Sequence, residues 1–228
     1  MMNIKLDHIV VGAATLEQGV AYVQEQFGVV IPKGGEHPLM ATHNHVMQLG
    51  NETFLEVIAI NPSGDHPAQP RWYGLDDPAV RNSLEFRPRL LTWVVNTNAL
   101  KELQGQIDFD LGVITPLSRG ELNWLFAVPD DGRLLGGGML PHAMQWQTNE
   151  HPSSNMADMN CRLRVLNIYH PYPEWLSSKL TSLNASELVT VHALTDDTAA
   201  YITAEIEAPN GLVVLSSALR RDDDMNSN

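Results

Sequence analysis

A chain of 228 residues with 43% hydrophobic and 18% charged residues can bury a sizeable core without disulfide or metal staples, as one large or two small domains. Its formal charge of −13 repels phosphate backbones and its 14 Lys and Arg residues are scattered, which excludes a basic nucleic-acid stripe and leaves solubility as the use of the charge. No charged start precedes an apolar stretch, no segment approaches the roughly 20 apolar residues that span a bilayer, and Cys161 is the single cysteine, so a cytoplasmic protein without membrane contact is expected.

Residues 6–11 read as a strand, and Thr15-Leu16-Glu17-Gln18 then matches a capping box that opens a helix. Leu16, Val20, Val23 and Phe27 share one face of that helix, and Gly28 supplies a left-handed stop. A Gly-rich connection around Gly34 and Gly35 leads to strands at 43–49 and 53–60, joined at Gly50 and Asn51; a short strand over 29–31 would complete a βαβββ unit. The pattern restarts at 90–95, passes through a short helix with Leu100 and Leu103 inward and a break at Gly105, and returns in strands near 122–128 and 139–146. A third start at 164–169 precedes Pro173 in a helical first turn, with Trp175, Leu176, Leu180 and Leu183 on the buried face. Its strands at 201–207 and 212–216 flank Pro209-Asn210-Gly211, a strong hairpin signal.

The stretches 61–88 and 148–160, rich in Pro, Asp, Asn and Ser, mark the boundaries between units. The expected division is a first βαβββ module at 1–62, a loop plus a second such module at 63–150, a third at 161–218, and a disordered acidic tail at 219–228, with 1–218 forming one α+β domain. Gly136-Gly137-Gly138 lies between strands with no following helix, so it reads as a flexible turn and no nucleotide cofactor is expected.

Leu6-Asp7-His8-Ile9-Val10-Val11, the capped helix, Ala41-Thr42-His43-Asn44 and Phe54-Leu55-Glu56-Val57-Ile58 together resemble the glyoxalase-like branch of the vicinal oxygen chelate superfamily. Ser118-Arg119, the strand with Trp124, Leu140-Pro141, Gln145-Trp146, His151-Pro152 and the strand before His170-Pro171 follow in that branch's order, so the resemblance runs over roughly residues 4–217. It implies repeated βαβββ modules curled into a half-open mixed β-barrel with helices outside. It often implies a divalent metal that polarises two neighbouring substrate oxygens. Lyases, isomerases, dioxygenases, epimerases and metal-free binding proteins share this fold, so the fold does not select the reaction.

The resemblance places metal ligands at His8 on the first strand and Glu56 on the fourth, a pair that suits zinc, nickel, manganese or iron. Aligning strand starts puts Trp93 opposite His8 and Gln145 near Glu56 in the second unit, and Asn167 opposite His8 in the third, so the four-ligand set is incomplete. His43 or His45, two apart on one strand face, would converge on Glu56 across a two-residue turn and diverge across a three-residue one. A His8, Glu56, His43 cluster would then form a facial triad with open positions, serving both as metal ligands and as catalytic residues. The missing ligands weigh toward the other reading, a metal-free, buried, hydrogen-bonded His8–Glu56 pair. Either arrangement can move a proton.

His37, Asn44, His45, Trp124 and Gln145 are expected to contact the ligand, and Arg119 is an anion clamp or a surface ion pair. Trp93, Trp124 and Trp146 either wall an aromatic-tolerant pocket or pack a core. His66, His142, His151, His170 and His192 share no ligand spacing and read as turn or surface residues, and Cys161 as an inert thiol. Two functions follow: a glyoxalase-like small-molecule enzyme acting on a polar metabolite with neighbouring oxygens by lyase, isomerase or dioxygenase-type chemistry, or a metal-free protein that binds or sequesters a small ligand. An odd number of units in a fold that pairs them leads us to expect a homodimer.

Overall fold

The computed structural model describes residues 2–148, 150–195 and 198–218; the expected acidic tail lies outside them. Strand β1 (Ile4–Gly12) leads to Thr15, whose Oγ1 accepts from the Gln18 amide at 3.3 Å and opens helix α1 (Leu16–Phe27). Gly28 closes the helix at φ 69°. Leu16, Val23 and Phe27 are buried, and Gly19 lets the helix approach the sheet, since an added Cβ would stand 2.4 Å from Val57 Cγ1.

Strands β2 (Lys33–His37), β3 (Thr42–Gly50) and β4 (Thr53–Ile60) follow. The strand expected over 29–31 forms four residues later, because the carbonyls of Ile31 and Pro32 are taken by His45 Nδ1 at 2.8 Å and the Val46 amide at 3.1 Å, and the β3 ladder carries the Gly-rich segment as an edge. Helix α2 (Pro78–Phe86) lies inside a stretch whose composition marked it as a boundary, and Asp77 caps it by accepting from the Ala79 amide at 2.7 Å.

Next come β5 (Arg89–Thr97), α3 (Leu100–Gln106), β6 (Val113–Arg119), β7 (Leu122–Val128) and β8 (His142–Trp146). β8 starts later than expected because Leu135–Gly138 forms a tight 3-10 turn; Gly138 is required there, since a Cβ would meet the Leu91 carbonyl at 2.1 Å. The chain ends in β9 (Arg162–His170), α4 (Pro173–Ser182), β10 (Thr190–Ala193), β11 (Tyr201–Ala208) and β12 (Gly211–Ser216).

Eight strands form one curved sheet in the order β2-β3-β4-β1-β5-β8-β7-β6. β1 runs parallel to β4, β5 parallel to β8, and β1 meets β5 antiparallel at the centre, so the two halves share a strand order about that junction. The edges β2 and β6 approach each other, with Arg119 lying over Gly35. The fold is therefore α+β with a half-open β-barrel.

Alternation along the strands gives the sheet two apolar faces. The concave face gathers Val10, Ile58, Val94, Phe126 and Met144 under Trp72, Tyr73 and Leu75. On the convex face Ile9, Leu55, Val57 and Trp93 pack against α1, α3 and a second sheet, ordered β10-β9-β11-β12, through Leu166, Ile168, Ile202 and Leu215. The homodimer was expected because a third set of strands lacked a partner; within this chain those strands cover the outside of the barrel. Cys161 is buried there, and burial raises its thiol pKa. No helix among the described residues is long and apolar enough to cross a membrane.

Candidate active site

The site begins with an irregularity in β1. Leu6 pairs with Val95 and His8 with Val94, so Asp7 is the extra residue of a bulge. Regular alternation would send residues 7 and 8 to opposite faces, but the bulge brings both side chains into one network. Asp7 is fully buried, and its Oδ1 accepts from His8 Nδ1 at 2.6 Å. Its Oδ2 accepts from Asn96 Nδ2 at 2.8 Å, Trp146 Nε1 at 2.7 Å and His151 Nε2 at 3.0 Å. Burial by itself would raise the carboxyl pKa; the hydrogen bonds from His151 and His8 outweigh it and hold the group well below the usual carboxylate range.

With Nδ1 committed to Asp7, His8 turns Nε2 toward the Tyr73 hydroxyl at 3.3 Å and Glu56 Oε2 at 3.5 Å. Its ring stacks on Phe54 at 4.6 Å. Glu56 Oε1 accepts from Asn44 Nδ2 at 2.6 Å, and Asn44 Oδ1 accepts from the Gly35 amide at 2.9 Å and Arg119 Nη1 at 3.1 Å. Burial lowers the Arg119 pKa while Glu56 opposes that shift.

His8, Tyr73, Glu56, Asn44 and Arg119 line a concave cavity of about 450 Å³ counted with the open solvent at its mouth. Trp72, Trp124, Trp146 and Phe126 form its aromatic walls. His37 also lines it, with Nδ1 3.1 Å from Thr42 Oγ1; burial first, and then Arg119, pull its pKa down to about 3, so its imidazole is neutral at ordinary pH. Pro152 and Met156 cover one side, anchored by the His151–Asp7 contact at 3.0 Å and by Gln48 Nε2 donating to the Met156 carbonyl at 2.9 Å.

Of the residues singled out from sequence, the fold brings together His8, Glu56, Asn44, His37, Arg119 and Trp124, with Trp146 beside Trp124 at 5.4 Å. It does not bring in His43, His45 or Gln145. The β3–β4 turn has the two residues, Asn51 and Glu52, that would have set His43 and His45 on the Glu56 face, but a bulge between Gln48 and Gly50 shifts the ladder by one, so Val46 stands opposite Glu56. His43 opens instead into a separate surface cleft beside Glu17 and Arg81, and Gln145 Oε1 accepts from the Leu100 amide at 3.0 Å on the helix side.

The register also corrects the alignment of the two halves. β1 and β5 pair Ile9 with Trp93, and rotation about that pair exchanges His8 with Thr92 and carries Glu56, the neighbour of Val10, onto His142, the neighbour of Val94. Trp93 faces the convex core, where its Nε1 donates to the Met139 carbonyl at 3.2 Å. Asn167 lies in the second sheet, 2.9 Å from His192. The two halves thus supply one carboxylate, two imidazoles and a hydroxyl, with Tyr73 bonded to the His8 ring and packed edge-on at 5.2 Å against that of His142. Among the described residues no three His, Cys, Asp or Glu side chains converge to hold an ion, so the donors present do not fit the four-ligand set.

Sequence reasoning passed over Asp7, Tyr73, His142 and His151. His142 and His151, read as turn or surface residues, are buried and part of the site network respectively, and His170 is buried as well. Adjacency of Asp7 and His8 was the one available signal, and it is legible only once the bulge is known.

A curved sheet enclosing an aspartate-bound histidine in an aromatic cavity defines a half-open-barrel protein with an internal polar site. The chain belongs to the glyoxalase-like domain family, whose model matches residues 6–184. No curated protein matches it. Among solved structures it is similar to a hypothetical protein from Staphylococcus aureus, with a TM-score of 0.56 and 12% identity over 94% of this chain and 85% of that one. A triple mutant of 4-hydroxymandelate synthase from Streptomyces coelicolor gives 0.49 and 11% over 95% and 63%, and methylmalonyl-CoA epimerase from Mycobacterium tuberculosis 0.39 and 14% over 65% and 91%. Identities this low speak for the fold alone.

Proposed function

We propose that this chain is a cytoplasmic small-molecule enzyme that moves a carbon-bound proton on a polar metabolite with neighbouring oxygens. His8 acts as the base, Asp7 orients it, and Glu56 stabilises the imidazolium. One observation carries the reading: Asp7 holds His8 Nδ1 at 2.6 Å and so aims Nε2 into a cavity that Arg119 also lines. An imidazole protonated on Nδ1 has its basic lone pair on Nε2, and a base so placed contributes about 10²–10⁴-fold to a rate. Once Nε2 has taken a proton, Asp7 and Glu56, at 2.6 and 3.5 Å from the ring nitrogens, both face the cation. Arg119 and Asn44 offer donors to substrate oxygens, and the tryptophans take its apolar part.

A second reading, a metal-free protein that binds or sequesters a small ligand, is favoured by the way Asn44 already satisfies Glu56 and Arg119, at 2.6 and 3.1 Å. Incubating the protein in deuterium oxide with small 2-oxo and 2-hydroxy acids, and following their C–H signals by NMR, separates the two. Labelling by the wild type, lost about 10²–10⁴-fold in His8→Gln and Glu56→Gln, is expected. Tight binding without labelling would select the binding protein.

A further inference from the structure

We infer that Tyr73 is a further catalytic residue, the hydroxyl that donates to the substrate oxygen on which negative charge collects while His8 holds the proton. This rests on the proton-transfer reading above.

The first support is backbone geometry. Tyr73 sits at φ 57°, ψ 23°, a left-handed conformation that side chains with a β-carbon avoid and that persists only where the surroundings impose it. They do so here. Gly74 follows at φ 67° with its amide donating to the Gly132 carbonyl at 2.7 Å, and on the other side the Arg71 amide and guanidinium bond Asp76 at 2.8 and 2.6 Å. Trp72, Tyr73 and Leu75 are each no more than 2% exposed. The segment is built as a plug that delivers one phenol to the floor of the cavity.

Packing explains the ring and leaves the hydroxyl unexplained. Tyr73 stacks on Trp72 at 5.4 Å and meets Phe126 and His142 edge-on at 6.0 and 5.2 Å, contacts a phenylalanine would keep. Its hydroxyl bonds His8 Nε2 at 3.3 Å, a long bond readily exchanged for one to a ligand. Burial first, then the nearby charges of Glu56 and Asp7, push the phenol well above its ordinary pKa, which keeps it a neutral donor at physiological pH.

A basic lone pair and an O–H donor side by side are what removal of a proton next to a carbonyl requires. Nε2 takes the proton, the C–H pair becomes part of a carbon–carbon double bond, and the carbonyl π pair settles on oxygen, where Tyr73 stabilises it without giving up its own proton. Return of the proton from His8 restores the carbonyl or completes an isomerisation, and no oxidant is needed. The substrate class is thus a small carbonyl compound with an exchangeable C–H beside the carbonyl.

The test follows deuterium uptake into 2-oxobutyrate by wild type, His8→Gln, Tyr73→Phe, and protein carrying 3-fluorotyrosine at position 73, whose hydroxyl is more acidic in an almost unchanged shape. Tyr73→Phe is expected to label about 10²–10³-fold more slowly at an unchanged Kd for 2-oxobutyrate. The fluorinated protein, which keeps the packing, is expected to label at an altered rate. Labelling that needs His8 yet is equal in Tyr73→Phe, or, where that variant does not fold, equal in the fluorinated protein, would overturn this inference and leave the base reading standing. No labelling by the wild type would overturn both.

Discussion

The two halves of the barrel share a strand order and part company in what they carry at matching positions. His8 and Glu56 in one half correspond to Thr92 and His142 in the other. The first pair is fully served: Asp7 holds His8 at 2.6 Å and Asn44 holds Glu56 at 2.6 Å. In the second, Thr92 Oγ1 turns to the Gly138 carbonyl at 3.3 Å, and neither ring nitrogen of His142 has a partner among the described residues. Matching backbones therefore place side chains equivalently without making them do the same thing. In one half a bulge adds a carboxylate behind the histidine, while in the other His142 packs edge-on against Tyr73 with no hydrogen-bond partner among the described residues.

Removing that carboxylate should break the contrast most severely. Asp7→Ala leaves four donors, two of them histidine nitrogens, facing a void, and a loss of about 3–5 kcal/mol in urea unfolding is expected, as for a buried charge network stripped of one partner. Asp7→Asn isolates the pH effect. The folded pKa of Asp7 lies below the unfolded value near 4, so its contribution is complete above about pH 4 and is lost as pH falls toward the folded value. The acid limb of the stability curve should flatten in Asp7→Asn; an unchanged limb would mean that Asp7 gains nothing from its partners.

Smaller effects sharpen the contrast from the other half. Burial, and secondarily His8, depress the pKa of His142 to about 3, so below about pH 6.5 the unfolded chain binds a proton that the native state refuses. Stability therefore falls as pH drops from about 6.5 toward 3, and His142→Leu should lessen that slope while gaining about 1 kcal/mol at neutral pH. A destabilised His142→Leu would show that the imidazole is held by something it needs. Gly35→Ala sets a Cβ 2.6 Å from Arg119 Cδ and should weaken carboxylate binding about tenfold, near 1.4 kcal/mol, by calorimetry. The smallest effect is expected at His43→Ala, on the far face of β3, with stability changed by no more than about 0.5 kcal/mol and labelling of 2-oxobutyrate within twofold.

Much of the architecture was legible because it rests on repeating local signals. The cap at Thr15, the stop at Gly28 and the alternating strands of the barrel announce themselves, and they place His8, Glu56, Asn44 and Arg119 in one cavity. What escaped reading has one physical origin. A single extra residue at Asp7 turned a carboxylate into the site, and another between Gln48 and Gly50 turned two histidines out of it. A bulge changes strand parity without any composition of its own, so a period-two argument runs straight through it. Tyr73 escaped for a related reason: its left-handed backbone lies in a Pro- and Asp-rich stretch that resembles a linker, and only the surrounding contacts make it rigid. Helix α2 escaped as well: its stretch was read only as a boundary, although Asp77-Pro78 is a cap followed by a first-turn proline.

The most direct test of the centre is long-range proton–nitrogen NMR of the imidazoles at neutral pH, comparing wild type with Asp7→Asn. The arrangement predicts that His8 carries its proton on Nδ1 with Nε2 bare, and that this preference is lost when the carboxylate becomes an amide. A proton on Nε2 in the wild type, with Nδ1 bare or with no change in Asp7→Asn, would contradict the role given to Asp7 and with it the base at the heart of the site.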